Sequence, residues 1–366
     1  MPSKRLREEG LVAKKNVRCT AAIPFQCIMI IFQFLCCNNN GDNNDNAIFL
    51  LFAQTCKQWN CQLVKFSVKR TFSVSISNLF YLKNLRPKKL IIQHDLEQEL
   101  DSDCISILSS MHLRALECHI PVRNDLCSLV ELETLAIDSK YAIQWPASLI
   151  SIELLPGYGQ HNFPLKPFPP LLQFCKTSYS CWFLLPRLLQ SFETLTEVHI
   201  PGVFLNDIDC ITTFQNLKLL KNLVTLHISY MYNTTLLQNG FESLKKLSFY
   251  GETVTNLNDL DHMSSLESLD VSGCRRLIDI SVCSKLLVLQ NLSLNNCDDL
   301  TDMAPIGHLK NLKFLSILGC TLTTKIINLN CLGNLPNLEQ IHCRQLKVEQ
   351  NALYKKRRHL FVCPYY

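Results

Sequence analysis

The chain reads Leu266-Glu-Ser-Leu269-Asp-Val271-Ser-Gly-Cys274 and, further along, Leu289-Gln-Asn-Leu292-Ser-Leu294-Asn-Asn-Cys297. Both segments follow one frame, Leu-x-x-Leu-x-Leu, in which the third position also accepts other apolar residues. The same frame begins before them at Leu244 and after them at Leu312. Four consecutive copies at nearly constant spacing indicate a repeated structural unit and not a chance enrichment in leucine.

Weaker copies extend this array in both directions. They begin at Leu113, Leu132, Leu149, Leu171, Leu195, Leu223 and Leu338. The mean interval over all eleven frames is about 22.5 residues, a period that is typical of leucine-rich repeats. One repeat cannot bury its leucines alone, so neighbouring repeats must stack. The sequence therefore predicts an α/β solenoid, a horseshoe with parallel strands on its concave face.

The regions around this array are less regular. We predict the repeat solenoid over 113–350 and a linker or N-terminal cap over 73–112, with a degenerate first strand near Leu90–Ile92 and a return helix over 101–111. The stretch 156–190 contains six prolines, which indicates a long loop or a bend. Residues 351–366 read as a basic C-terminal tail.

Charge and cysteine content exclude several classes of function. The net charge is +5, but residues 1–20 and 354–366 each carry +4, which leaves −3 for the body of the chain. A nucleic-acid-binding protein would instead carry its basic residues on the folded surface. The 19 cysteines are scattered and never form Cys-x-x-Cys, so we expect free thiols in a reducing compartment and no metal site. Several cysteines fall at inward repeat positions, namely Cys118, Cys274, Cys297, Cys320 and Cys343.

An apolar run at 21–37 follows the basic N-terminal tail of residues 1–20. It is interrupted by Pro24, Gln26 and Gln33. A membrane-spanning helix needs about 20 predominantly apolar residues, and this run is shorter, so we predict a short soluble helix that begins at Pro24. An asparagine-rich loop at 38–46 and a second apolar segment complete a small helical unit, residues 21–72. A membrane anchor at this run is the alternative.

This unit resembles the F-box. Its first helix reads Pro24-x-x-x-Ile28-x-x-Ile31-Phe32-x-Phe34-Leu35, and its second ends in Cys56-Lys57-x-Trp59. Ile23 stands where the family usually has leucine, and the asparagine run lengthens the loop. The order of the F-box before leucine-rich repeats, and the cysteine-containing repeats themselves, are similar to those of F-box/leucine-rich repeat proteins.

The resemblance implies a substrate receptor of an SCF-type ubiquitin ligase, without catalytic residues or cofactors of its own. A Skp-type adaptor, and through it a cullin–RING ligase, would be its partner in the cytoplasm, the nucleus or both. The implied adaptor-binding residues are Pro24, Ile28, Ile31, Phe32, Leu35 and Trp59. The alternative is a leucine-rich repeat scaffold outside the ubiquitin pathway, in which residues 23–72 only cap the solenoid. Lys355–Arg358 is either a nuclear localisation signal or a solvated tail.

Partner-binding residues are predicted from strand alternation. The leucines of each frame point inward, so the residues between and just after them point to the concave face. The candidates for binding a protein substrate are His199, His227, Tyr250, Asp270, Asn295, Phe314, His342 and Arg344. Tyr250, Phe314 and Arg344 are the preferred anchors, because aromatic and arginine side chains dominate protein interfaces. His199 and His227 could also lie side by side, and Asp302 is expected to cap a turn.

Overall fold

The computed structural model describes twelve stretches of the chain. They are 71–74, 79, 86–92, 99–120, 122, 125–137, 144–155, 169–177, 194–202, 208–320, 329–343 and 361–363. All of them lie within the unit Val64–Tyr366. Several predictions fall outside the described residues, namely the F-box-like segment from Pro24 to Trp59, the basic N-terminal tail, the cluster Lys355–Arg358, and residues 156–168 and 178–193 of the irregular region.

The described residues form one parallel sheet of fourteen strands, in which every strand pairs with its neighbours in sequence. The strands are β1 Thr71–Val74, β2 Lys89–Ile92, β3 Ala115–Cys118, β4 Thr134–Ile137, β5 Ser151–Leu154, β6 Phe174–Thr177, β7 Glu197–Ile200, β8 Thr225–Ile228, β9 Lys246–Phe249, β10 Ser268–Asp270, β11 Asn291–Ser293, β12 Phe314–Ser316, β13 Gln340–His342 and β14 Phe361–Cys363. This order is that of a leucine-rich repeat solenoid, as predicted.

The repeat frame explains the sheet's buried face. In β10 the burial alternates, with Leu269 buried and its neighbours Ser268 and Asp270 partly exposed. The register places Leu269 between Leu247 and Leu292. Because side chains alternate along a strand, the leucines of successive strands form continuous buried columns. Burying each of these leucines contributes about 1.5–3 kcal/mol of hydrophobic stabilisation. A single repeat could not gain this stabilisation, because it buries its leucines only against neighbouring repeats.

Return segments cover the buried face. Among the described residues two of them are α-helices, α1 Ser102–Ser110 and α2 Ile208–Lys218, and α1 is the return helix predicted over 101–111. The side chain of Asp101 caps α1, since its Oδ1 accepts the Cys104 amide at 2.8 Å. The later repeats use short 3₁₀ turns, namely Thr235–Leu237, Asn258–Leu260, Ser281–Lys285, Ala304–His308 and Leu329–Asn334.

A ladder of polar caps, one in each of four successive repeats, organises these turns. The residues are Asn233, Asn256, Asp279 and Asp302. Each accepts the backbone amide of the second residue after it, at 2.8 Å for Asp279 to Ser281 and 2.8 Å for Asp302 to Ala304. The corresponding distance is 3.2 Å from both Asn233 and Asn256. The predicted capping role of Asp302 is therefore confirmed.

The predicted inward cysteines are buried. Cys118, Cys274, Cys297, Cys320 and Cys343 are at most 6% exposed. Burial raises the pKa of Cys274 to about 12 and that of Cys320 to about 11, so both stay protonated thiols. Cys320 donates its thiol hydrogen to the carbonyl of Leu294 at 2.9 Å, across one repeat. These side chains serve as small apolar residues of the core.

One predicted frame is wrong by a single residue. We predicted that the fourth frame begins at Leu171, which would point Phe174 inward. The structure instead buries Leu172, while Leu171 is 54% exposed. The pairing of Ile152 with Cys175 fixes this register, because β6 must continue the columns of β5. The frame is therefore Leu172-x-x-Cys175-x-Thr177, and it lies midway between the frames that begin at Leu149 and Leu195.

The sheet also extends beyond residues 113–350. The predicted strand near Leu90–Ile92 is β2, and β1 precedes it, beginning at Thr71 within the segment that we predicted as the end of the helical unit. At the other end, β14 pairs with β13 and lies within the predicted basic tail. No helix among the described residues is long and apolar enough to span a membrane. The apolar run 21–37 lies outside those residues.

Candidate protein-binding face

The second face of the sheet carries the side chains that alternate with the core leucines, and we call it the open face. Most of them are at least partly exposed, but Ala136 and Ser316 are buried. Its central row takes one residue from each strand, and the strand register aligns these residues. From β3 to β13 the row is Glu117, Ala136, Glu153, Lys176, His199, His227, Ser248, Asp270, Ser293, Ser316 and His342. Spaced at about 4.8 Å per strand, this row is a single surface and not a set of separate loops.

Charged side chains predominate in the first half of the row, and they form ion pairs with one another or with residues beside the row. Lys89 and His119 both contact the carboxylate of Glu117, with His119 Nε2 at 2.8 Å from Glu117 Oε1. The hydrogen bond from Lys89, followed by that from His119, holds the pKa of Glu117 below its usual range despite partial burial. Lys176 and Glu153 form a second ion pair at 2.5 Å. These contacts hold the charged side chains in defined positions.

An imidazole pair occupies the middle of the row. The rings of His199 and His227 lie 5.1 Å apart, and the ring of Phe174 meets His199 edge to face at 5.0 Å. His199 Nε2 lies 2.7 Å from Glu197 Oε1, and His227 Nδ1 lies 2.7 Å from Ser248 Oγ. Partial burial, and then the neighbouring His199, lower the pKa of His227. Burial and the neighbouring imidazole therefore favour the neutral form of His227.

We expect the titration of His227 to respond to its neighbour. Replacing His199 by glutamine removes a like charge, so the pKa of His227 should rise towards its ordinary value. It should not reach that value, because burial is the larger cause and remains. A pH titration of the histidine NMR signals in the full chain measures both effects. A His227 pKa unchanged by His199→Gln would mean that the two imidazoles do not interact.

The second half of the row, together with the residues beside it, is polar or aromatic and largely uncharged. Asn295 Oδ1 accepts two hydrogen bonds, from Ser316 Oγ at 2.7 Å and from the Leu318 amide at 2.7 Å. Asp270 Oδ1 likewise accepts the amide of Ser272 at 3.0 Å and its hydroxyl at 2.5 Å. Farther along, Phe314 meets His342 edge to face at 4.8 Å. Hydroxyl, amide and aromatic groups of this kind are the adaptable contacts of protein-binding surfaces.

Three tyrosines border this face where β8 and β9 end. Tyr230 lies 5.1 Å from Tyr232 and 5.4 Å from Tyr250, measured between ring centres. Sequence reasoning selected Tyr250, which directly follows the frame that ends at Phe249. It missed Tyr230 and Tyr232, because they lie farther beyond the frame that ends at Ile228. The signal that could have found them is the pair of tyrosines at 230 and 232, directly after a strand whose pattern has just ended.

The structure places seven of the predicted substrate-binding residues on or beside the open face. They are His199, His227, Tyr250, Asp270, Asn295, Phe314 and His342. Ring contacts join two pairs among them, His199 with His227 and Phe314 with His342. Arg344 and the predicted adaptor-binding residues lie outside the described residues. Within the described ranges, no group of three or more His, Cys, Asp and Glu residues could hold a metal ion.

The known proteins that this chain matches are only distantly similar to it. No protein-family model matches the chain, and no curated protein matches it. Among solved structures, an internalin of Listeria monocytogenes (InlF) is 14% identical with a TM-score of 0.39, and the match covers 84% of this chain and 88% of the internalin. Internalin C2 of the same organism is 19% identical with a TM-score of 0.33, over 48% of this chain and 84% of that one.

A leucine-rich repeat protein of Leptospira interrogans gives a similar result. It is 16% identical with a TM-score of 0.33, over 83% of this chain and 98% of that one. Similarity at this level does not bear on function. The repeat architecture of the present chain rests on its own strand register and buried columns.

Proposed function

We propose that this protein binds a partner protein on the open face of its repeat sheet. The observation that carries the proposal is the continuous row from Glu117 to His342, in which ion pairs, imidazoles and polar side chains are held by a single register. From β3 to β13 the row extends about 50 Å along the sheet, which suits a protein surface better than a small molecule. A repeat sheet supplies such a surface because each added repeat widens it.

The finer part of the proposal concerns what this binding achieves. Residues 21–72 resemble an F-box, so the chain would join a Skp-type adaptor and deliver its bound partner to an SCF-type ubiquitin ligase. Its contribution would be proximity, since holding the partner near the conjugating enzyme raises the effective concentration without any chemistry by this chain. What supports this function is the order of residues from Pro24 to Trp59, directly before the repeats.

A pull-down of the full-length chain with a purified Skp-type adaptor tests the finer proposal. We expect the wild-type chain to bind, and Ile31→Asp to abolish binding, because a carboxylate would replace an apolar side chain of the predicted adaptor contact. Trp59→Ala should weaken binding as well, since large aromatic anchors dominate interfaces. The thermal unfolding of the repeat sheet, measured on the same samples, should stay unchanged.

The alternative, a scaffold whose residues 23–72 cap the repeats, predicts the opposite pair of results. No adaptor would bind, and the two substitutions would lower the stability of the repeat sheet by about 2–5 kcal/mol, as large core changes do. Glu252→Gln, an exposed change on the repeat sheet, is the matched control and should affect neither measurement.

A further inference from the structure

The tyrosine cluster, defined as Tyr230, Tyr232 and Tyr250 together with Glu252, is built differently from the rest of the face. Tyr230 and Tyr232 meet at an interplanar angle of 84°, and Tyr230 and Tyr250 at 55°. The rings are therefore not stacked on one another. All three tyrosines are half-buried, so each still presents part of its surface to solvent. Rings set at such angles form the walls of a corner.

Main-chain contacts hold the cluster in place. The Met231 amide donates to the Tyr250 carbonyl at 2.7 Å, and Thr253 Oγ1 donates to the Tyr232 carbonyl at 2.6 Å. The ring of Tyr250 lies directly against Gly273, where a Cβ atom would stand only 2.2 Å from a ring carbon. A side chain at position 273 would displace this ring. The corner is thus fixed before any partner arrives, which reduces the entropy lost on binding.

The charges around the cluster favour a cation. The Tyr250 hydroxyl donates to Glu252 Oε1 at 2.7 Å, which places an exposed carboxylate at the rim. The faces of tyrosine rings carry negative electrostatic potential and attract ammonium and guanidinium groups. The side chain of Arg275 is exposed, and its charge also reaches Tyr250. A cation from a partner would therefore gain from the exposed ring surface of the cluster and from Glu252, and would be opposed by Arg275.

We propose that the tyrosine cluster binds a basic side chain, lysine or arginine, of the partner protein. The inference rests on the proposed protein-binding function of the open face and names one feature that a partner must have. The cluster lies between the imidazole pair and the uncharged half of the face. An anchor there would fix the position of the partner along the sheet. Aromatic corners of this kind act as anchors because they combine apolar area with a defined orientation.

The test measures binding of short peptides to the full-length chain by NMR of the tyrosine signals. The probes are acetyl-Gly-X-Gly-amide with X as lysine, arginine, trimethyllysine or norleucine, the last being an uncharged analogue of lysine. We expect the three cationic peptides to bind about fivefold or more tightly than the norleucine peptide. Glu252→Gln should weaken binding of the lysine peptide, and Arg275→Ala should strengthen it because an opposing charge is lost.

The controls separate this inference from its alternatives. Tyr250→Leu should abolish the preference for cations, whereas Leu287→Ala, at an exposed apolar residue that follows the 3₁₀ turn Ser281–Lys285, should leave it intact. Glu252 and Arg275 are exposed, so their substitutions test the site without disturbing the fold. Equal binding of the lysine and norleucine peptides would overturn the inference. The cation preference is measured with free peptides, so it can fail while a partner protein still binds the open face. Adaptor binding, measured through Ile31 and Trp59, tests the ubiquitin-ligase proposal separately.

Discussion

Leu172→Ala should lower the free energy of unfolding by about 2–5 kcal/mol, whereas Leu171→Ala should change it by less than about 0.5 kcal/mol. The two leucines are adjacent and identical, but Leu172 is fully buried and Leu171 is 54% exposed. Leu172 continues the column between Leu149 and Leu195, so its truncation leaves a cavity that β5 and β7 cannot close. Truncating Leu171 removes a side chain that already meets solvent.

Chemical denaturation of the two single variants measures this difference. Both variants have the same composition and nearly the same unfolded chain, so each serves as the other's control. A larger loss at Leu171 would mean that β6 pairs one residue out of register with its neighbours, with Phe174 in the core. Equal losses would mean that the strand is not held in a single register.

The regular repeats could be predicted from the sequence because each frame repeats the pattern of its neighbours. From Leu244 to Ile317, all twelve frame positions are buried as predicted. Two features of the sequence led to the wrong frame at β6. Leu171 and Leu172 both fit its first position, and the true frame then places Cys175 and Thr177 where leucines are expected. The large apolar side chain of Phe174 favoured the frame that would point it into the core. In the structure it packs against His199 on the open face. Pairing with β5 and β7, which a local pattern does not contain, decides the register.

Some contacts of the candidate site could likewise be predicted from the repeat frames, and others could not. Strand alternation correctly placed His199 beside His227, since both follow from their frames. The Phe314–His342 pair is diagonal, however, and depends on the offset between neighbouring strands. The tyrosine cluster required the end of β8 to lie against that of β9, which the Met231–Tyr250 backbone bond shows but no frame predicts. Likewise β14, Phe361–Cys363, joins the sheet through backbone pairing without any leucine.

Gly251→Ala should lower the free energy of unfolding by about 3 kcal/mol or more, the upper range for an overpacked site. A Cβ atom at this buried position would stand 2.1 Å from the Met231 carbonyl oxygen and 2.8 Å from Val254 Cγ2. The first obstacle is backbone, and it belongs to the segment that carries the Met231–Tyr250 hydrogen bond. Relieving the contact therefore requires two neighbouring repeats to move apart, and the tyrosine cluster would move with them.

Gly273→Ala is the matched comparison, because its obstacle is a side chain. Gly273 has a φ of +83°, so alanine there should lose about 1–2 kcal/mol from the backbone alone, plus the displacement of the Tyr250 ring at 2.2 Å. In the Gly273→Ala variant, adding Tyr250→Ala should recover the part of the lost stability that comes from displacing the ring. In the Gly251→Ala variant, the same addition should recover none of the lost stability. Denaturation of the four single and double variants, with Tyr250→Ala alone as the reference, measures both couplings. Equal recovery of stability at the two glycines would show that the Met231 backbone moves as readily as the Tyr250 ring. The tyrosine cluster would then not be fixed in position before a partner binds.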